Sequence, residues 1–494
     1  MDLIIRGATI YDGSGGPGFS GDVGVTGDRI EAIGDLATQT GGFEIAGAGL
    51  AVAPGFIDVH SHDDFAVFLM PEMDFKVCQG VTTDVVGNCG LGAAPLRAAA
   101  PYLAFFGADA KRDTLPTWDG YDGYLDAVDA NPASCNVAAL VGHGAIRLHA
   151  MGLSRRAPSE AELAAMIDTM SVGLDAGCVG YSTGLIYEPG RYAGTDELVA
   201  LANAMADIGG LYASHMRNEG ERLLDAVTET IAIGERGGVP VQISHHKATG
   251  RTAWGLVKDS LAIIDDARAR GVDVTADQYP YTAGSTSLFA VVQNYEEGTA
   301  GVGETEWDRV VIVSAPGHQE WESHSLAALA EQFGAEPIDA AKRVVDAEGY
   351  GAVVVMHSID EHDVRTVMAH PTTMIGSDGI PTLTGKPHPR LYGTFARVLG
   401  HYARDEGVMP LAEAVHRMTG FPAAKFGLTD RGAIRPGAAA DLVLFDPARI
   451  DDVATYDDPR RHPAGITGVW VNGVRVVDDG VHTGARPGRA LRRG

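Results

Sequence analysis

Seven apolar runs in this chain end in residues that can do chemistry. The first ends in His60-Ser61-His62-Asp63-Asp64, the second in Asn88-Cys89-Gly90 and the third in Gly142-His143-Gly144. Later runs end in Ser214-His215-Met216-Arg217, Ser244-His245-His246-Lys247, Asp277-Gln278-Tyr279-Pro280-Tyr281 and Gly376-Ser377-Asp378-Gly379. His60 and His62 are two apart, so on a strand they point to the same side. His245 and His246 are adjacent, so one faces away. Each feature alone has a plain structural explanation. A His-x-His pair often sits at a surface, and a single cysteine is usually a small buried hydrophobe. Together, in strand register, they read as metal ligands, and a thiolate with imidazoles favours zinc over magnesium or calcium. Asp378 lies in a turn whose carboxylate can cap local amides. Facing a metal, it becomes a candidate general base for water.

Those residues converge only if the runs form one sheet with a common polarity. Apolar runs fall at 55–60, 81–86, 136–141, 178–181, 211–214, 240–244, 272–276 and 373–376, and helical stretches separate many of them. Ser159 and Glu162 make a capping box ahead of the apolar face Leu163, Met166, Ile167 and Met170. Eight strands alternating with helices predict a parallel (β/α)8 barrel of the TIM type, in the α/β class, with its active site on the C-terminal rim. A ninth run, 352–356, is assigned to an insertion. The stretch 284–350 is too long for a loop and is expected to form a subdomain near the barrel mouth. Residues 1–53 and 435–494 both read as short strands, with Asn472-Gly473 a hairpin signal. Neither end has enough apolar sequence to fold alone. The expected organisation is a composite β-sandwich domain from 1–53 plus 435–494 and a hydrolase barrel over 54–434.

Composition narrows the partners. Of 494 residues, 45% are hydrophobic and 21% charged, which is ordinary for a globular protein. The 38 basic and 65 acidic residues give a net charge of −27, which repels phosphate backbones and anionic lipid. No apolar run approaches the roughly 20 residues of a membrane span. Nucleic acid and membrane are therefore not expected partners. Four cysteines cannot form a disulfide framework and no signal peptide is visible, so a cytoplasmic location is expected.

The motifs also carry a family resemblance. Pro54-Gly55-Phe56-Ile57-Asp58-Val59-His60-Ser61-His62 resembles the first-strand signature of the amidohydrolase superfamily. Gly80-Val81-Thr82-Thr83, Gly87-Asn88-Cys89-Gly90 and Ala94-Pro95 are similar to the N-acyl-D-amino-acid deacylase (D-aminoacylase) family in particular. The match continues in order through Ser214-His215, Ser244-His245-His246-Lys247, Tyr279-Pro280-Tyr281, Ser377-Asp378-Gly379 and Asp430-Arg431-Gly432. Cys89 is its most specific element, because many relatives use a carboxylated lysine there. The resemblance implies that Cys89, His215 and His245 form a tight zinc site. It places a second, weaker metal position at His60, His62 and Asp378. It assigns the substrate carboxylate to Lys247, Tyr279 and Arg390. The implied reaction is zinc-dependent hydrolysis of an N-acyl-D-amino acid, with Asp378 as proton acceptor. The D configuration rests on the resemblance alone. Two rivals remain at this point: a cyclic-amide hydrolase of the hydantoinase or dihydropyrimidinase kind, and a metal-free scaffold relative. Residues 282–292 contain no Lys, Arg or His. A cation-free pocket there would favour neutral or apolar side chains over Asp and Glu.

Overall fold

In the computed structural model, which describes residues 1–106, 109–298 and 306–493, the eight apolar runs form one parallel sheet. Its strands are β1 (Phe56–Asp58), β2 (Val81–Val86), β3 (Asn136–Gly142), β4 (Gly180–Gly184), β5 (Leu211–His215), β6 (Val241–Ile243), β7 (Val274–Gln278) and β8 (Thr373–Ile375). They pair in chain order from β1 to β8. Every residue of these strands is buried, as a sheet covered on both faces requires. The circle closes between β1 and β8 through a parallel bridge from Ser61 to Gly379, and the Asp378 amide donates to the His60 carbonyl at 2.7 Å. This is the (β/α)8 barrel that the alternation predicts.

The helices follow from the sequence as expected. Glu160–Asp175 starts at Ser159, whose side chain accepts from the Glu162 amide while Glu162 caps the Ser159 backbone. Met166 and Met170 face the core. Strands from both ends of the chain join in a single nine-stranded sheet. Alternate residues of those strands, among them Leu3, Ile5, Val23, Val25, Leu442 and Trp470, meet in one core. The hairpin at Asn472-Gly473 has both residues at positive φ, 50° and 78°, as a two-residue turn of this kind requires.

The ninth run, Val353–Met356, lies outside the barrel. It is the central strand of a three-stranded antiparallel sheet with Gly284–Ser287 and Val310–Ser314. Residues 299–305 of the expected insertion lie outside the described residues. Among the described residues, no helix is long and apolar enough to cross a membrane.

Candidate metal centre and substrate cavity

The C-terminal strand ends bring the predicted residues to one place. Cys89 follows β2, His215 ends β5 and His245 follows β6. The Cys89 Sγ lies 3.6 Å from His215 Nδ1, 3.6 Å from His245 Nε2 and 3.3 Å from His60 Nε2. His245 Nε2 and His215 Nδ1 are 2.8 Å apart. Donors held about 2.0–2.3 Å from a tetrahedral zinc stand roughly 3.3–3.6 Å from one another, so the three Cys89 distances match a zinc cradle, while the His215 and His245 nitrogens stand closer together than that. His60, His62 and Asp378 form a second group of mutually close donor atoms. Its closest contact is 3.1 Å, between His62 Nε2 and Asp378 Oδ1. Cys89, His245 and Asp378 all have positive φ, at 54°, 35° and 49°. Such strain costs about 1–3 kcal/mol per residue and collects at functional sites.

Carboxylates stand behind the imidazoles, the arrangement that fixes a metal-binding histidine in orientation. Asp277 Oδ1 is 3.1 Å from His60 Nδ1 and also accepts from the His245 amide at 2.8 Å. Glu219 Oε1 is 2.9 Å from His245 Nδ1, and its other oxygen is 3.8 Å from His215 Nε2. With a thiolate-imidazole donor set backed in this way, the residues present fit zinc. Asp277 and Glu219 carry no assigned role in the sequence reading. Asp277 ends β7 among the other rim residues, and Glu219 stands four residues after His215, so position alone could have flagged both.

Electrostatics follow the same geometry. Burial would raise the Cys89 thiol, but the charge of His60 and hydrogen bonds from His215 and His245 hold it well below the usual thiol range. Burial would also raise Asp378. The Arg390 guanidinium, followed by His245 and His60, outweighs it and keeps the group well below the usual carboxylate range. Asp378 Oδ2 sits 2.9 Å from Arg390 Nη1.

A cavity opens over this cluster. Lys247 and Tyr279 line it together with His62, His215, His245 and Asp378. Burial lowers Lys247, and Glu219 at 2.7 Å more than offsets this, so the ammonium is raised and charged. Burial raises the Tyr279 phenol, which stays protonated. The Tyr279 Oη is buried and has no hydrogen-bond partner among the described residues. Arg390 lies behind this wall, fully buried, with its guanidinium 4.5 Å from the centre of the Tyr279 ring. His246 points away and pairs with Ser260 Oγ at 2.8 Å. His143, also named among the strand ends, pairs with Glu197 at 2.9 Å.

Two features lie beyond the sequence reading. Lys76 is fully buried and contacts Asp58, Asp63 (3.1 Å) and Asp84 (3.4 Å). Asp58 in turn accepts from the His60 and Ser377 amides, tying together the strand ends that carry His60 and Asp378. The cavity also contains guanidinium groups that residues 282–292 do not supply. Arg251 and Arg309 line its outer wall, and Glu306 engages both, at 2.8 and 3.2 Å. The pocket is therefore not free of cations, although a carboxylate already pairs with them.

The chain resembles known proteins over its full length. The amidohydrolase family profile matches residues 44–363 and 361–477. A D-aminoacylase from Alcaligenes xylosoxydans xylosoxydans is 43% identical, covering 100% of this chain and 98% of that protein. An N-acyl-D-glutamate deacylase from the same organism is 42% identical, covering 100% and 97%. The crystal structure of N-acyl-D-glutamate deacylase from Bordetella bronchiseptica holds zinc and a phosphonate inhibitor that mimics the tetrahedral intermediate. It matches with a TM-score of 0.89 at 41% identity, covering 100% of this chain and 99% of that one.

Proposed function

The chain belongs to the amidohydrolase family, in its N-acyl-D-amino-acid deacylase branch, and from that premise we infer that it is a zinc-dependent hydrolase of N-acyl-D-amino acids. The products are a carboxylate and a free D-amino acid. One observation carries the reading. One cavity, beside a thiolate-imidazole cluster, is lined by two of its imidazoles, an ionised carboxylate, a buried tyrosine hydroxyl unpartnered among the described residues, and a charged lysine. The cyclic-amide alternative is not favoured, because the relatives matched at 39–43% identity are acyl-amino-acid deacylases, whereas the hydantoinase structures match at 16% and share the fold alone.

Cys89, His215 and His245 are the residues suited to hold the tight zinc, and His60, His62 and Asp378 a weaker second ion. When bound, the metal supplies Lewis acidity to the amide carbonyl and makes water acidic enough to react near neutral pH. Asp378 is ionised at neutral pH and accepts the proton of the attacking water. It then delivers that proton to the departing nitrogen, which could not leave as an anion. Arg390 and His62 hold the two Asp378 oxygens and fix its orientation. Lys247 and Tyr279 hold the substrate carboxylate, and Arg390 adds positive charge beneath the Tyr279 ring. Glu219 and Asp277 keep the imidazoles turned toward the metal.

Neutral side chains are favoured over acidic ones in this reading. The wall beyond the anchor includes Val291, Val310 and Met356, and both rim guanidiniums are engaged by Glu306. All four cysteines are unpaired and buried, which suits a cytoplasmic location. The defining test is release of free amino acid from N-acetyl-D-leucine and its L enantiomer by the zinc-loaded protein. Turnover of the D form alone supports the reading, and no turnover of either overturns it.

A further inference from the structure

A second, smaller cavity adjoins the main one and shares Leu91, Tyr187 and Ala290 with it. Its other walls include Tyr102, Phe289 and Tyr350. Phe289 and Tyr350 pack ring to ring, 4.5 Å between centres. A polar group closes part of it: Glu188 accepts from Tyr192 and from Gln293, so its carboxylate is already engaged. Two of the shared residues adjoin the metal cluster. Leu91 is two residues beyond Cys89, and the Tyr187 ring meets the His215 ring edge-on at 5.0 Å. The Tyr187 hydroxyl pairs with Thr286 Oγ1 at 3.0 Å, which holds the ring in place.

The position of this annex decides what it can receive. A substrate bound across the cluster places its amide carbonyl at Cys89, His215 and His245. Its carboxylate lies toward Lys247 and Tyr279, on the β6 and β7 side of the barrel mouth. The acyl carbon chain leaves the carbonyl on the opposite side, toward Leu91 after β2 and Tyr187 after β4. The annex lies on that side, behind the shared Leu91 and Tyr187.

We propose that this annex is an acyl-chain subsite and that the enzyme acts best on N-acyl-D-amino acids whose acyl group is a medium-length alkyl or arylalkyl chain. The proposal rests on the deacylase reading above. Its apolar and aromatic walls suit a neutral chain. The engaged Glu188 carboxylate disfavours an acyl group that carries its own carboxylate, such as succinyl.

The test is kcat/KM of the zinc-loaded enzyme for D-leucine bearing formyl, acetyl, butyryl, hexanoyl, phenylacetyl or succinyl groups. Burial of one methylene corresponds to about a fourfold gain. The expected profile rises from acetyl to hexanoyl by at least about tenfold, with phenylacetyl high and succinyl below acetyl. Ser287 lines the annex and not the main cavity. Ser287→Leu fills part of the annex, so it is expected to abolish the gain for hexanoyl while leaving acetyl hydrolysis unchanged. A folded variant that keeps the gain overturns the proposal. Calorimetric binding of free acetate, hexanoate and phenylacetate to the unmodified zinc-loaded protein gives a second readout, independent of that variant's folding and of turnover. Hexanoate and phenylacetate binding at least about tenfold tighter than acetate supports the subsite, and equal binding overturns it. Failure to hydrolyse any acyl-D-leucine would instead contradict the deacylase reading, which the carboxylate series does not depend on.

Discussion

Tyr279→Phe removes one oxygen and leaves a ring. The lost hydroxyl is buried and bonds to nothing among the described residues, and Tyr279 lines the cavity, so a bound substrate is its expected partner. The ring keeps its place beneath the Arg390 guanidinium at 4.5 Å and near the Lys247 ammonium at 5.7 Å. Stability should therefore hold, or rise by up to about 1 kcal/mol as an orphan buried hydroxyl disappears. Binding should suffer. A hydrogen bond to a charged carboxylate contributes about 1.5–3 kcal/mol, which at about 1.4 kcal/mol per tenfold predicts a loss of roughly 12- to 140-fold in kcat/KM. The bond forms equally in ground and transition states, so the loss should fall on KM while kcat stays within about threefold. Steady-state kinetics with N-acetyl-D-leucine and its carboxamide, alongside a thermal melt, measure all of this. The carboxamide lacks the charge, so it should lose much less. An equal loss for acid and amide, or a fall in kcat at constant KM, would refute the carboxylate-anchor role of Tyr279.

Asp378→Asn keeps the shape and removes the base, and should lower kcat by about 10²–10⁴ with the melting temperature nearly unchanged. Lys247→Ala should raise KM for the acid more than for the amide. It also leaves Glu219 without its ammonium, so some loss of stability should accompany it. N-acetyl-D-leucine or D-methionine should exceed N-acetyl-D-glutamate in kcat/KM, and Glu306→Gln should narrow that gap by freeing Arg251 and Arg309. Away from the site, a hydrogen bond to Asp74, with Cys78 second, raises His462 to about 10. A group raised on folding stabilises most below its unfolded value near 6.5, so that contribution should fade as pH climbs from about 6.5 to 10. Solvent screens this partly exposed pair, so the effect should be about 1 kcal/mol or less, and His462→Gln should flatten the melt-versus-pH slope.

The barrel and its rim chemistry were legible because both signals are local. An apolar run marks a parallel strand, and the polar residues that end it mark the rim, so Cys89, His215, His245 and Asp378 could be placed from sequence. Pairings over long separations were not legible. No motif or spacing marks Lys76, and only the fold shows three aspartates closing around it. Arg309 and Arg251 reach the cavity from segments other than 282–292, so reading that segment alone missed them. The annex depends on Leu91, Tyr187 and Phe289 meeting across three parts of the chain, which no spacing rule anticipates.

The most direct test of the central claim is titration of metal-free protein with zinc while D-leucine release from N-acetyl-D-leucine is followed. Activity should be absent without metal and should rise to a maximum at about one equivalent. In Cys89→Ala the same titration should show neither tight zinc uptake nor activity. Full activity in metal-free protein, or tight zinc binding and normal turnover by Cys89→Ala, would contradict the account.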